Sequence, residues 1–159
     1  MAKVVAVGFD ELAKELETLA NHSGKIATSA LYAGAGEMAD RIRSSTEKLQ
    51  TETERKHRTR NLLPYEKQAL LDGLTVEKFT QDTGRDYTQT TVTFHGKTDH
   101  PTESYPDGLP TILLARSITK GTTFRRANRF FPNTVNRSRK EVEKLMTDTA
   151  EREMKKHIK

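Results

Sequence analysis

The sequence predicts an α+β fold in which a small antiparallel β-sheet is packed by an Ala-rich N-terminal helix and a long C-terminal helix. Three observations favour this class. Apolar residues recur at helical spacing near both ends of the chain, and a β-prone segment with a central turn lies between them. The length of 159 residues is that of one ordinary domain, so residues 1–159 are expected to form a single unit.

A short strand and two helices are predicted for the N-terminal third. Residues 2–8, AKVVAVG, have the β-branched content of a strand. Asp10 is a suitable N-cap for a short helix that ends at Gly24 and carries one apolar face: Phe9, Leu12, Leu16 and Leu19. A second helix, over residues 25–49, is rich in alanine and contains GAG at 34–36. Small residues at this spacing predict close packing against a neighbouring element.

The middle of the chain combines a polar segment with a predicted hairpin. Residues 43–61 are polar and charged, and their pattern leaves open whether they prolong the helix as an exposed arm or form a long loop. Residues 73–96, GLTVEKFTQDTGRDYTQTTVTFHG, predict an antiparallel hairpin with DTGRD as its turn. The following residues have the Pro and Gly content of a long loop.

Two more helices are predicted after this loop. TILLARSITK, residues 111–120, repeats apolar residues at helical spacing and is followed by Gly121 as a stop signal. The last helix is expected to begin near Asn136 or Ser138. Its apolar stripe runs over residues 142–154, and the lysines of its last turns have the favourable charge for a helix C-terminus.

The composition predicts a modest core. Hydrophobic residues make up 33% of the chain and aromatic residues 6%, without any Trp. A chain that buries little apolar surface often gains the rest by association, so we expect a homo-oligomer. The lack of Cys excludes disulfides, thiolate metal sites and cysteine nucleophiles. The N-terminal apolar run is too short for a signal peptide and no segment is apolar enough to span a membrane, so no membrane partner is expected.

The charges are distributed unevenly. Residues 1–114 hold 14 Lys and Arg against 17 Asp and Glu, whereas residues 115–159 hold 13 against 5. The acidic residues stop at Asp107 and resume at Glu141. A cationic stretch of this length favours an anionic partner, either phosphate or an acidic protein face, over a merely solvated loop.

The sequence predicts no catalytic residues, no cofactor and no metal site. The five histidines form no recognised metal motif, and His95, Asp99 and His100 are interpreted as part of a polar turn, with a metal-dependent hydrolase as the minor alternative. No nucleophile elbow and no phosphate-binding loop motif is present. We therefore expect that the protein is not an enzyme.

The basic-aromatic segment, residues 122–138 (TTFRRANRFFPNTVNRS), allows more than one interpretation. Arginines beside phenylalanines offer phosphate contacts and stacking surfaces, which is the combination that binders of single-stranded nucleic acid use. Alternatively, Phe130, Phe131 and Pro132 anchor the last helix on the sheet while the arginines remain solvated. The segment could equally dock on another protein.

The order of the segments resembles a known family. LLARSITKGT and FFPNTVNRSRKEVEKLM carry the most specific part of the likeness, and they follow VGFDELAKELETL, ATSALYAGAGEMADRI, LLDGLTVEKF and YTQTTVTF in sequence. In this order the chain is similar, over nearly its whole length, to the neck and tail-completion proteins of long-tailed bacteriophages, the family typified by gene product ten of phage Hong Kong 97.

The resemblance implies a structural virion protein without enzymatic activity. It implies a ring of six or twelve copies at the head–tail junction, assembled in the bacterial cytoplasm and surrounding the channel through which DNA passes. The neighbours would be head-closure or connector proteins and a tail terminator or tail tube protein. A basic nucleic-acid-binding protein without catalytic activity is the alternative.

The resemblance also implies roles for individual side chains. Apolar residues of the basic-aromatic segment would dock on a neighbouring subunit: Phe124, Phe130, Phe131 and Pro132. The cations would face an acidic partner or, without reading sequence, the DNA in the channel: Arg116, Lys120, Arg125, Arg126, Arg129, Arg137 and Arg139.

Overall fold

Two long helices, α1 (Phe9–Glu47) and α4 (Phe130–Lys155), pack antiparallel in a computed structural model of the chain. The structure describes residues 9–54, 57–78, 80–82 and 87–157. At one end of the pair His22 stacks on His157 with ring centroids 3.9 Å apart. At the other end Thr134 Oγ1 donates a hydrogen bond of 2.8 Å to Ser45 Oγ. Residue numbers thus rise along α1 as they fall along α4.

Close contact in the middle of the pair depends on a glycine. A Cβ atom built on Gly34 would lie 2.5 Å from Cγ and 2.6 Å from Sδ of Met146, so any larger residue would force the Met146 side chain to move. Around Gly36, by contrast, the same construction meets no atom within 4 Å. The predicted packing role of the GAG run is therefore confirmed for Gly34 and wrong for Gly36.

An ion pair crosses between the helices about two turns of α1 further along. Arg41 Nη1 lies 2.5 Å from Glu141 Oε2, and Arg41 Nε donates to Glu37 Oε1 at 2.7 Å. The hydrogen bond with Glu37 raises the pKa of the Arg41 guanidinium, and Glu141 acts in the same direction. The guanidinium therefore stays charged and links the exposed edges of both helices.

Two helix boundaries differ from the prediction. Gly24 does not end a helix, because α1 continues through it, and the buried Ile26 and Ala30 beyond it compensate for the low helix propensity of glycine. The last helix begins at Phe130 rather than near residues 136–138. Pro132 fits there because the first-turn N–H groups of a helix have no intrahelical acceptor. The strand predicted over residues 2–8 lies outside the described residues.

The predicted hairpin is confirmed as two short antiparallel ladders. β1 (Leu74–Val76) pairs with β4 (Val92–Phe94), and β2 (Thr80–Asp82) pairs with β3 (Tyr87–Gln89). Most of the DTGRD turn, residues 83–86, lies outside the described residues. Leu74 and Phe94 are directly opposite each other, and both are buried.

Two short helices close the core. α2 (Pro64–Gly73) and α3 (Thr111–Lys120) contact each other, and α3 ends at Gly121, whose φ of 78° confirms the predicted stop. The core lies at the end of the helix pair where α1 finishes and α4 begins. Its buried members come from all of these elements: Ile42, Leu62, Leu70, Leu74, Phe94, Leu114, Ala115, Ile118 and Phe130. The fold is thus a single-domain α+β fold, as predicted.

The polar segment 43–61 is part helix and part loop. α1 includes it as far as Glu47, and the loop that follows is attached to the body by backbone hydrogen bonds. Glu52 N donates to Leu62 O at 2.9 Å, and Leu62 N donates to Gln50 O at 3.1 Å. Within the described part of the chain, none of the helices has the length and apolar character needed to cross a membrane.

The two glycines of the GAG run should respond oppositely to alanine. Gly36→Ala is expected to raise the free energy of unfolding by roughly 0.5–1 kcal/mol, because alanine is the better helix former and its Cβ meets open space. Gly34→Ala should lower it by about 1 kcal/mol, since Met146 must move. Urea denaturation of both variants measures the difference. Equal stabilisation by the two substitutions would contradict the close approach at Gly34.

Candidate assembly surface

A buried ion pair attaches the basic-aromatic segment to the body of the molecule. Arg125 Nη2 donates to both carboxylate oxygens of Glu66, at 2.7 and 2.6 Å, and each side chain is 4% exposed. Glu66 also accepts the backbone N–H of Leu63 at 2.9 Å, which caps the start of α2. Among the described residues, Arg125 Nη1 has no hydrogen-bond partner. Loss of Glu66 would leave the buried Arg125 charge uncompensated, so the pair fixes the position of the segment.

Backbone hydrogen bonds hold the same segment against the loop after α1. Arg58 N donates to Phe124 O at 2.8 Å, and Arg126 N donates to Thr59 O at 3.0 Å. Thr59 and Arg125 form a parallel bridge between the two stretches. Residues 122–126 are therefore a turn packed on the body and do not extend away from it.

The aromatic residues of the basic-aromatic segment differ in how far they are buried. Phe130 is 6% exposed and belongs to the core, which corrects the docking role predicted for it, because its ring is covered by its own chain. Phe131 is partly buried against the core, with its ring centroid 5.9 Å from that of Phe94, and Pro132 is partly buried in the first turn of α4. The interpretation in which these residues anchor the last helix is the one that the packing supports. Phe124 remains available, since it is 65% exposed.

The cations predicted to face a partner or DNA also differ in their burial and position. Arg125 is buried with Glu66, which corrects the prediction that it faces a partner or DNA. Lys120 and Arg126 are exposed and lie beside two arginines of the loop after α1. Together they line a cleft of about 660 Å³, here named the basic cleft: Arg58, Arg60, Lys120, Gly121, Thr122, Arg125, Arg126 and Ala127.

Arg116 and Lys120 border a second, apolar depression between α3 and β4. It has a volume of about 280 Å³ and is here named the α3–β4 groove: Val92, Thr93, Phe94, Ile112, Leu113, Ala115, Arg116, Thr119, Lys120 and Phe131. Ile112 and Leu113 are 49% and 38% exposed there, although the opposite face of α3 is in the core. The remaining predicted cations, Arg129, Arg137 and Arg139, are exposed at the start of α4 and line neither depression.

The side chains weighed as metal ligands have other contacts. His95 Nε2 lies 3.3 Å from Glu77 Oε1, and the His100 ring stacks on Tyr65 with centroids 4.5 Å apart. Asp99 lines a separate depression with His95. In the described ranges, no cluster of three His, Cys, Asp or Glu side chains could hold a metal ion.

Sequence reasoning missed several residues of these surfaces. Glu66 lies three residues after Leu63 and two after Pro64, which is a helix-start signal, but its pairing with Arg125 joins residues 59 positions apart. Arg58 and Arg60 carried no signal beyond their charge, because they belong to the segment left open as arm or loop.

Comparison with protein-family models, with curated proteins and with solved structures found no match.

Removing the charge of Glu66 should destabilise the fold. Glu66→Gln is expected to lower the free energy of unfolding by about 3 kcal/mol, because the Arg125 guanidinium stays buried without its counter-charge. Asp107→Asn is the matched control: it removes the same group from the exposed Lys97–Asp107 pair and should cost under about 1 kcal/mol. Chemical denaturation followed by circular dichroism provides both values.

A double variant separates charge from packing. Glu66→Gln with Arg125→Met removes both charges while the glutamine oxygen can still accept the Leu63 N–H, and it should recover most of the stability lost in Glu66→Gln alone. If Glu66→Gln costs no more than Asp107→Asn, the pair does not fix the segment.

Proposed function

We propose that this protein is a structural subunit of the neck of a long-tailed bacteriophage, assembled as an oligomeric ring at the head–tail junction through which DNA passes. The ordered resemblance of its segments to neck and tail-completion proteins motivates the proposal. The observation that carries it is that pairs of large apolar side chains are exposed at opposite ends of the molecule. Leu12 and Leu16 are 50% and 57% exposed at one end, and Ile112 and Leu113 form the other pair.

Neighbouring subunits would cover these surfaces. Single exposed apolar residues are common on soluble proteins, but adjacent ones that form a patch indicate an interaction site. Phe124, which is 65% exposed, adds a third apolar position beside the basic cleft. In the virion, head-closure or connector proteins would contact one face of the ring, and a tail terminator or tail tube protein would contact the other.

Deletion of the gene from a phage or prophage that encodes this chain tests the role. We expect DNA-filled heads and finished tails that are not joined, because a neck subunit is needed only for the junction. Electron microscopy of the lysate shows this directly, and the number of infectious particles should fall by several orders of magnitude. Supplying the chain from a plasmid is the control and should restore joined particles. Normal virions in the deletion strain would refute the proposed role.

Nucleic-acid binding is a second candidate, which the basic cleft favours. Lys120 and Arg126 come from one stretch of the chain and Arg58 and Arg60 from another, so the fold adds cations to those predicted. Such a cleft could bind the phosphate backbone without reading sequence, as expected of a protein that surrounds passing DNA. The cleft is thus compatible with a neck protein and with a free-standing nucleic-acid binder.

Salt-dependent binding tests the cleft. Fluorescence anisotropy with single-stranded and duplex oligonucleotides should show an affinity that falls steeply with salt, and Arg60→Gln with Arg126→Gln should reduce the slope by about 0.9 for each lost phosphate contact with duplex. Arg137→Gln with Arg139→Gln removes the same charge outside the cleft and should have less effect. Arg125 is left unchanged because its loss would perturb the fold. Negligible binding at low salt would exclude this candidate.

A further inference from the structure

The first part of α1 precedes the residue of α1 that meets the C-terminal end of the described chain. His22 is the α1 residue that stacks on His157, and α4 itself ends at Lys155. Residues 9–21, here named the overhang, therefore precede this stack and span about 20 Å along the helix axis. Leu12 and Leu16 of the overhang are the exposed pair described above.

The apolar stripe of the overhang continues the face of α1 that α4 covers. Leu12, Leu16 and Leu19 follow one another at helical spacing, and further along the same face come the buried Ile26 and Ala30. The face is thus buried at Ile26 and Ala30, partly buried at Leu19 and exposed at Leu16 and Leu12. A stripe of this kind is typical of a helix that lies in an apolar groove of a partner.

The α3–β4 groove has the matching character at the other end of the molecule. Ile112 and Leu113 supply exposed apolar surface, while Arg116 and Lys120 border it with positive charge. Residues 108–140 contain no Asp or Glu at all. The overhang carries four acidic residues and one lysine: Asp10, Glu11, Lys14, Glu15 and Glu17. The two surfaces therefore match in both apolar character and charge.

The overhang cannot reach the groove of its own chain. α1 is one continuous helix, so Leu16 and Ser45 are about 44 Å apart. Ser45 is hydrogen-bonded to Thr134, one turn along α4 from Phe131, which lines the groove. Only a second copy can bring an overhang to this groove.

We propose that the overhang of one copy docks in the α3–β4 groove of the next, with Leu12 and Leu16 against Ile112 and Leu113 and with Glu15 beside Arg116. The contact joins two different surfaces of the same chain, so a pair of copies keeps one free groove on the first copy and one free overhang on the second. Such head-to-tail contacts close into rings when the rotation between copies allows it. The inference rests on the proposed ring function and names the surfaces that would build the ring.

Two variants that each disable one surface test this arrangement. Leu16→Asp places a charge on the apolar face of the overhang, and Ile112→Asp places one in the groove. Both side chains are about half exposed, so each variant should keep the fold, which circular dichroism can verify. Each variant alone should self-associate at least about tenfold more weakly than the unmodified chain in sedimentation velocity. Mixed together, they should form a 1:1 heterodimer that does not grow, because one intact overhang and one intact groove remain.

Charge variants provide a matched control. By helical spacing Glu15 lies beside the leucine stripe and Glu17 lies well away from it, so Glu15→Arg should weaken association more than Glu17→Arg. Combining Glu15→Arg with Arg116→Glu should restore part of the loss.

Each outcome is informative about the interface. A chain that stays monomeric at every concentration, a Leu16→Asp variant that assembles normally, or a mixture without heterodimer would overturn it. If rings form despite Leu16→Asp, this interface is wrong and the ring function still stands. The deletion phenotype of the phage tests the function independently of all these variants.

Discussion

The close contact between Gly34 of α1 and Met146 of α4 lies in the middle of the antiparallel helix pair, and the register of this pair decides which parts of the two helices meet. With the register set, the end of α1 reaches the core, where Ser45 meets Thr134, while the first part of α1 precedes the stack of His22 on His157. The molecule therefore has a packed end, and the overhang lies at the other end. A shift by one helical turn would separate all of these contacts, because the facing surfaces interlock.

A second constraint acts at the packed end. The Glu66–Arg125 pair connects the start of α2 with the turn that precedes α4, and the backbone bonds to residues 58 and 59 hold that turn on the body. One arginine of the basic stretch is thereby used for internal stability, and its neighbour Arg126 is left on the surface. Positions in a run of like charges can therefore have unrelated roles, which only their surroundings distinguish.

The separation of charge along the chain becomes a separation in space. Four carboxylates belong to the overhang, whereas the acid-free stretch from residue 108 to 140 supplies the border of the α3–β4 groove and part of the basic cleft. A subunit with opposite charges at its two ends favours association in one direction, because like ends repel each other. In the proposed ring this would leave the basic cleft, which shares Lys120 with the groove, open at its other cations to DNA or an acidic neighbour.

The sequence by itself determined the α+β class, the Ala-rich helix, the hairpin and the stop at Gly121, because local periodicity and turn residues specify them. It did not determine that Gly24 lies inside α1 or that α4 begins at Phe130, since tertiary packing overrode weak local signals. Nor could it pair Glu66 with Arg125 or place Arg58 beside Arg126, because these partners are distant in the chain. Charge and hydropathy patterns indicate which side chains need an ionic or apolar partner. Only the tertiary structure decides which of them find that partner within the same chain.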